Sequence, residues 1–185
     1  ESGMSTSDQA MLQTLALREK TRDEYLLQRD PIADDRLRWR AQSFRHLVHL
    51  LPGQVILEVG CGQGLFTRQL VQVTNGRNPI TAVTFDSLAC KPSQIQDPVE
   101  FVAAGSFPDT LSGRQFDFVV AMDLLDRRNC AVVLQHVLEL LKPGGQVVFY
   151  ESNPWNIVLK FRRLLARVFG KTDTRFLLSR GQLYE

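Results

Sequence analysis

Val55-Ile56-Leu57-Glu58-Val59-Gly60-Cys61-Gly62-Gln63-Gly64-Leu65-Phe66-Thr67-Arg68 is the stretch that decides the fold. Its opening, Val55-Ile56-Leu57 and then Val59, is a nearly continuous aliphatic run, the pattern of a strand buried on both faces of a parallel sheet. Three glycines on alternate positions follow, where no Cβ obstructs unusual backbone angles or the close approach of a ligand. From Leu65 the pattern turns helical, and a helix beginning there aims its unpaired N–H groups back at the turn. Strand, glycine loop and helix in that order predict a nucleotide-sized binding site at the loop.

The glycine spacing narrows the class. A dinucleotide fingerprint, Gly-x-Gly-x-x-Gly, wants glycine or alanine at position 65, but Leu65 stands there and the third glycine falls one residue early at Gly64. The pattern is Glu-x-Gly-x-Gly-x-Gly, with Glu58 two residues ahead of the first glycine. In this form it resembles the first motif of the class I S-adenosylmethionine-dependent methyltransferases. The resemblance implies that Gly60, Cys61, Gly62 and Gly64 approach the cofactor and that Glu58 braces the loop.

Downstream, Ile80 to Asp86 reads as a second strand ending in a carboxylate. An acid about 20 residues after such a loop can accept hydrogen bonds from two ribose hydroxyls. The resemblance gives Asp86 that role; capping of the next turn is the competing reading. Residues 88–98, with two prolines, predict a loop or a stunted helix. Val99 to Ala104 is a third strand, followed by Gly105 and Ser106 where many relatives carry an adenine-binding aspartate. That departure leaves the adenine contact to backbone groups and the Ser106 hydroxyl.

Gln115 to Met122 is a fourth strand whose Phe116-Asp117-Phe118-Val119-Val120 resembles the family's. By that resemblance Ala121, Met122 and Asp123 flank the methionine part of the cofactor. Arg127 aligns where small-molecule methyltransferases often place a histidine base, and arginine cannot accept a proton. Asp123 and Asp126 are then the acid–base candidates; helix capping is the favoured role of Asp126 and is left open for Asp123. Cys130 to Leu141 is an amphipathic helix on Val133, Leu134, Val137, Leu138 and Leu141, with His136 structural. Lys142-Pro143-Gly144-Gly145 forms a helix stop before a fifth strand through Tyr150 and Glu151. The same turn is another mark of the family, and with Leu65 it disfavours a nicotinamide-dependent reductase.

Upstream, a helix is predicted from about Ser7 to Gln28, with Met11, Leu12, Leu15, Leu26 and Leu27 on a broken apolar stripe. Arg29-Asp30-Pro31 interrupts it. A second helix, about Asp34 to Leu51, buries Leu37, Phe44, Leu47, Val48 and Leu51. Arg36, Arg38, Arg40 and Arg45 on this helix read first as a solvated face, with contact to an anionic substrate as the alternative, and His46 with His49 lacks a third metal ligand. Beyond Glu151, Asn153, Trp155 and Asn156 stand where they would line an acceptor pocket. A basic amphipathic helix from about Ile157 to Phe169 follows, read mainly as packing one face on the core.

Composition agrees with one globular domain: 185 residues, 44% hydrophobic, 23% charged, net charge +2. The charge gives no argument for nucleic acid as an obligatory partner. The odd cysteines Cys61, Cys90 and Cys130 follow no metal-ligand spacing, and no apolar run reaches transmembrane length, so a cytoplasmic protein with free thiols is expected. Residues 1–3 read as a tag remnant, 4–51 as a helical extension, and 52–185 as the cofactor-binding domain. The expected fold is α/β, and the resemblance implies a Rossmann-like, mainly parallel open sheet of order 3-2-1-4-5 with helices on both faces. The family's sixth and seventh strands have no counterpart before Glu185. The domain is therefore expected to be incomplete at its C-terminus, its open edge left to a further segment or a homodimer partner, with a naturally shortened domain as the alternative. The implied function is methyl transfer from S-adenosyl-L-methionine to a small-molecule acceptor, oxygen or nitrogen. The alternative is a non-catalytic cofactor-binding or regulatory domain.

Overall fold

A computed structural model describes residues 6–28, 30–86, 98–105, 107–126 and 129–151. The expectations for residues 88–97, Cys90, Ser106, Arg127 and everything after Glu151 lie outside these.

Two helices come first, α1 (Thr6–Gln28) and α2 (Ala33–Leu47). Then follow β1 (Ile56–Val59), α3 (Leu65–Thr74), β2 (Ile80–Thr84), β3 (Val99–Ala103), β4 (Phe116–Met122), α4 (Cys130–Glu139) and β5 (Leu141–Tyr150), strands and helices mixed along the chain as in an α/β protein. The strands form one sheet in the order β3-β2-β1-β4-β5. All four pairings are parallel, with β1 at the centre: Glu58 faces Ala82 of β2 on one side and Val120 of β4 on the other. The Rossmann-like sheet expected from the sequence is therefore present.

Every residue of β1 and β2 is buried, which is why both strands are largely aliphatic, with only Glu58, Thr81 and Thr84 polar. The pleat sends alternate residues to opposite faces. Leu57, Val59, Val119 and Ala121 pack with Val133 and Val137 of α4. Ile56, Phe118, Val120 and Met122 pack with Phe66 and Leu70 of α3 and with Leu37, Ala41 and Phe44 of α2. Helices thus cover both faces.

Helix α1 belongs to both cores. Its early residues Met11 and Leu15 join the α4 side, while Leu26 joins the α2–α3 side. A helix that begins on one face and ends on the other must cross an edge of the sheet. It crosses at the carboxyl ends of the strands, where Glu19, Arg22 and Asp23 meet the loops after β1, β2 and β4.

Four expectations need correction. Helix α4 ends at Glu139 and buries Val133 and Val137, whereas Leu138 is exposed and Leu141 already belongs to β5. Helix α2 stops at Leu47, where His49 adopts a positive φ of 49° and Leu50 N–H turns back to the Arg45 carbonyl. Leu47 and Leu51 are therefore exposed, because the buried stripe is Leu37, Ala41, Phe44 and Val48, and Leu47 sits one position off it. On α1, Leu27 is exposed for the same reason, beside buried Leu26. Finally, the Lys142-Pro143-Gly144-Gly145 turn does not precede β5 but interrupts it. Leu141 pairs with Phe116, and regular pairing resumes at Gln146 with Phe118.

Candidate functional site

An open α/β sheet binds ligands where the strand order reverses, beyond the carboxyl ends of the two strands involved. Here the order reverses between β1 and β4. The crevice is therefore bounded by the loop Gly60–Gly64 and the segment Met122–Asp126.

Backbone donors in the glycine loop can be accounted for one by one. Gly60 and Cys61 N–H both donate to the Val83 carbonyl (2.9 and 2.8 Å), which lashes the loop to the end of β2, and Gly64 N–H donates to the Cys61 carbonyl (2.9 Å). Gly62 and Gln63 N–H are the two that the loop can offer outward. Positive φ values at Gly60 (76°), Gly62 (53°) and Gly64 (74°) make this geometry possible, and Gly64 ends it as the residue capping α3.

Carboxylates of α1 meet both donors. Glu19 Oε1 accepts from Gly62 N–H (2.9 Å), and Asp23 Oδ2 accepts from Gln63 N–H (2.7 Å). The second Glu19 oxygen accepts from the Thr84 hydroxyl (3.0 Å), Phe85 N–H (3.1 Å) and Asp86 N–H (3.0 Å). One side chain thus bridges the ends of β1 and β2. Burial raises the Glu19 pKa; Arg22, the Gly62 and Asp86 amides and the Thr84 hydroxyl offset only part of that.

Arg22 spans the crevice itself. Its Nη1 donates to the Gly60 carbonyl (2.7 Å) and to the Met122 carbonyl (3.0 Å), joining the ends of β1 and β4. Burial opposes its charge, but Asp23, in a 2.8 Å ion pair, and Glu19 and Glu58 outweigh it and raise the pKa. Arg18 Nη2 adds a bond to the Leu125 carbonyl (2.7 Å).

Glu58 lies in the middle of buried β1. Its Oε2 has no hydrogen-bond partner, and burial raises its pKa to about 7. Thr67 and Arg22 work against the rise, although the Thr67 hydroxyl falls short of a full hydrogen bond to it. Asp86 follows β2 and, with Glu19, Lys20, Asp23, Glu24, Gly62 and Gln63, lines a cavity of about 150 Å³. Met122 is buried at the end of β4, Cys61 is buried within the loop, and Gly105 is exposed just after β3.

Asp123 has a positive φ of 50°, a strained conformation for a non-glycine residue that aspartate tolerates better than most. Three bonds hold this turn: Asp123 N–H to the Tyr150 carbonyl (2.7 Å), and Leu124 and Leu125 N–H to Glu151 Oε1 (2.9 and 2.8 Å). The Asp123 carboxylate forms a 3.0 Å ion pair with Arg40, whose guanidinium lies over the Tyr150 ring. Arg40 is therefore part of the site, which corrects its reading as one of a solvated face. Asp126 does serve the approach to α4: its carboxylate accepts from Asn129 N–H (2.9 Å), and Asn129 Oδ1 accepts from Asp126 N–H (2.7 Å).

The structure thus brings Glu58, Gly60, Cys61, Gly62, Gly64, Asp86, Met122 and Asp123 around one crevice. Sequence reasoning missed Glu19, Arg22, Asp23, Arg40 and Glu151. A signal for the first two existed, because Leu15, Glu19, Arg22 and Leu26 share a helical face. Charged residues in an otherwise apolar stripe mark a buried polar crossing.

A parallel sheet of order 3-2-1-4-5 with a glycine loop at its switch point defines a nucleotide-binding class of α/β protein. A family model described as a methyltransferase domain matches residues 27–178, and the chain belongs to that family. It is 29% identical over 111 residues to the ubiquinone biosynthesis O-methyltransferase of Proteus mirabilis (strain HI4320), covering 55% of this chain and 43% of the relative. To the demethylmenaquinone methyltransferase of Bacillus licheniformis it is 26% identical over 145 residues, 72% of this chain and 62% of the relative. The chain thus spans less than two thirds of the length of either. Among solved structures, the plantazolicin methyltransferase BpumL in complex with a pentazolic desmethylPZN analog and SAH matches with a TM-score of 0.57 at 14% identity. That match covers 98% of this chain and 70% of the other, and it shows the shared fold. No helix among the described residues is long and apolar enough to cross a membrane.

Proposed function

We propose that the chain is an S-adenosylmethionine-dependent methyltransferase domain acting on a small-molecule acceptor. The observation that carries this reading is that two outward amides, Gly62 and Gln63, line one cavity with Asp86 at the adjoining strand end. The donor set fits the cofactor. Those amides already hold carboxylate oxygens, and a carboxylate after β2 is suited to two ribose hydroxyls. Glu58 is buried in the strand that leads into the loop, and Met122 lies at the end of β4 on the other side of the crevice.

When bound, S-adenosylmethionine supplies an electrophilic methyl group on a sulfonium. The chain's part is to place the acceptor in line and exclude water, which alone accounts for much of the acceleration in such reactions. Asp123 is the acid–base candidate, held in its strained turn and ion-paired with Arg40. The names of the two curated relatives make quinone precursors the first acceptors to try.

Equilibrium dialysis with methyl-labelled S-adenosylmethionine tests the proposal. Saturable binding displaced by S-adenosylhomocysteine and not by reduced nicotinamide dinucleotide supports it. Displacement by the nicotinamide alone overturns it.

A further inference from the structure

Small-molecule sites typically enclose about 300–1,000 Å³. The cavity between α1, Gly62 and Asp86 encloses about 150 Å³, too little for a nucleoside with an amino-acid tail. The deficit has an identifiable cause. Helix α1 lies so close on the glycine loop that a Cβ at Gly62 would run into the Asp23 carboxylate and come within 2.9 Å of Arg22 Nη2.

We propose, on the strength of the cofactor reading above, that α1 is an intrasteric latch: Glu19, Arg22 and Asp23 occupy the cofactor's seat and must be displaced before it binds. Each contact of the latch uses a group that the reading assigns to the ligand or its rim. Glu19 takes the amides of Gly62 and Asp86, Asp23 takes the amide of Gln63, and Arg22 crosses the β1–β4 crevice to reach the Gly60 and Met122 carbonyls. Carboxylates on backbone amides are charge-assisted acceptors, so they compete well with a ligand carboxylate or hydroxyl.

The latch is also built to let go. Its three residues are charged and stay solvated once released, unlike an apolar plug. Helix α1 is anchored by Met11 and Leu15 on one face of the sheet and by Leu26 on the other, so the crossing segment can lift without surrendering both ends. A ligand that binds only the open state has its apparent affinity reduced by the fraction of chains that are open. Weakening the latch therefore tightens cofactor binding.

Calorimetric titration of the intact chain with S-adenosylhomocysteine, compared with Glu19→Ala and Glu19→Gln, tests this. Glu19→Ala is expected to bind about tenfold tighter or better, because it raises the open population by that factor. Glu19→Gln, which keeps the side-chain volume and guards against loss of fold, is expected to show a smaller gain. Thermal unfolding checks that both variants remain folded. Equal or weaker binding by both folded variants, with the unmutated chain still binding, overturns the latch and leaves the cofactor site standing. Failure of all three folded chains to bind overturns the cofactor reading and the latch together.

Discussion

Glu58 is buried and Glu151 half-buried, and their surroundings push each pKa to about 7, desolvation being the main cause in both. The sign of the linkage follows. Between about pH 4.5 and 7 the folded chain holds protons that the unfolded chain has released, so stability is greatest below this window and falls as pH rises through it. Each group accounts for on the order of 2–3 kcal/mol across the window. Glu58→Gln removes one such group, and denaturant titrations should show a shallower decline from pH 5 to 8 and a more stable protein at pH 8. Asp123→Asn keeps the shape of its side chain and discards its charge and its ion pair with Arg40. If Asp123 is the base, single-turnover methyl transfer should slow by about 10²–10⁴-fold, with cofactor affinity changed far less.

At the scale of elements, the glycine loop works because three positive φ values fold it back onto β2. Gly60→Ala forces a side chain into a φ of 76° and brings a Cβ to 2.8 Å from Leu124 Cδ1. The strain should cost about 1–3 kcal/mol and lower Tm by about 3–10 °C. Loop and strand were legible because their chemistry is local: alternating glycines, a buried aliphatic run, an acid at the next strand's end. Helix α1 was legible as a helix but not as part of the site. Its buried face mixes Leu15 and Leu26 with Glu19 and Arg22, and the charges blur the apolar stripe that reveals which face is buried. Arg40 was hidden differently: four arginines crowd one helix, and only the tertiary position of Asp123 singles it out. The exposed Leu47 shows the converse, an apolar residue one position off the stripe that composition alone would bury.

At the scale of the whole molecule, the sheet order was legible through the family resemblance, which the glycine loop, the Phe116–Val120 strand and the Lys142–Gly145 turn carried. Parallel strands covered on both faces need two cores, and helices α2 and α3 supply one of them. Phe44 is fully buried there, edge-on to Phe118. Phe44→Ala should cost about 3–5 kcal/mol, read as a lower urea midpoint with an unchanged slope. What the sequence could not convey is how a helix before the sheet reaches across its carboxyl edge, since that contact joins residues some 40–65 positions apart. The same edge carries the central claim, that the glycine loop and Asp86 together form an S-adenosylmethionine site. Calorimetric titration with S-adenosylhomocysteine on the unmutated chain and on Asp86→Ala tests it most directly. The account predicts saturable binding that weakens at least tenfold in Asp86→Ala; equal affinity in the two folded chains would contradict it.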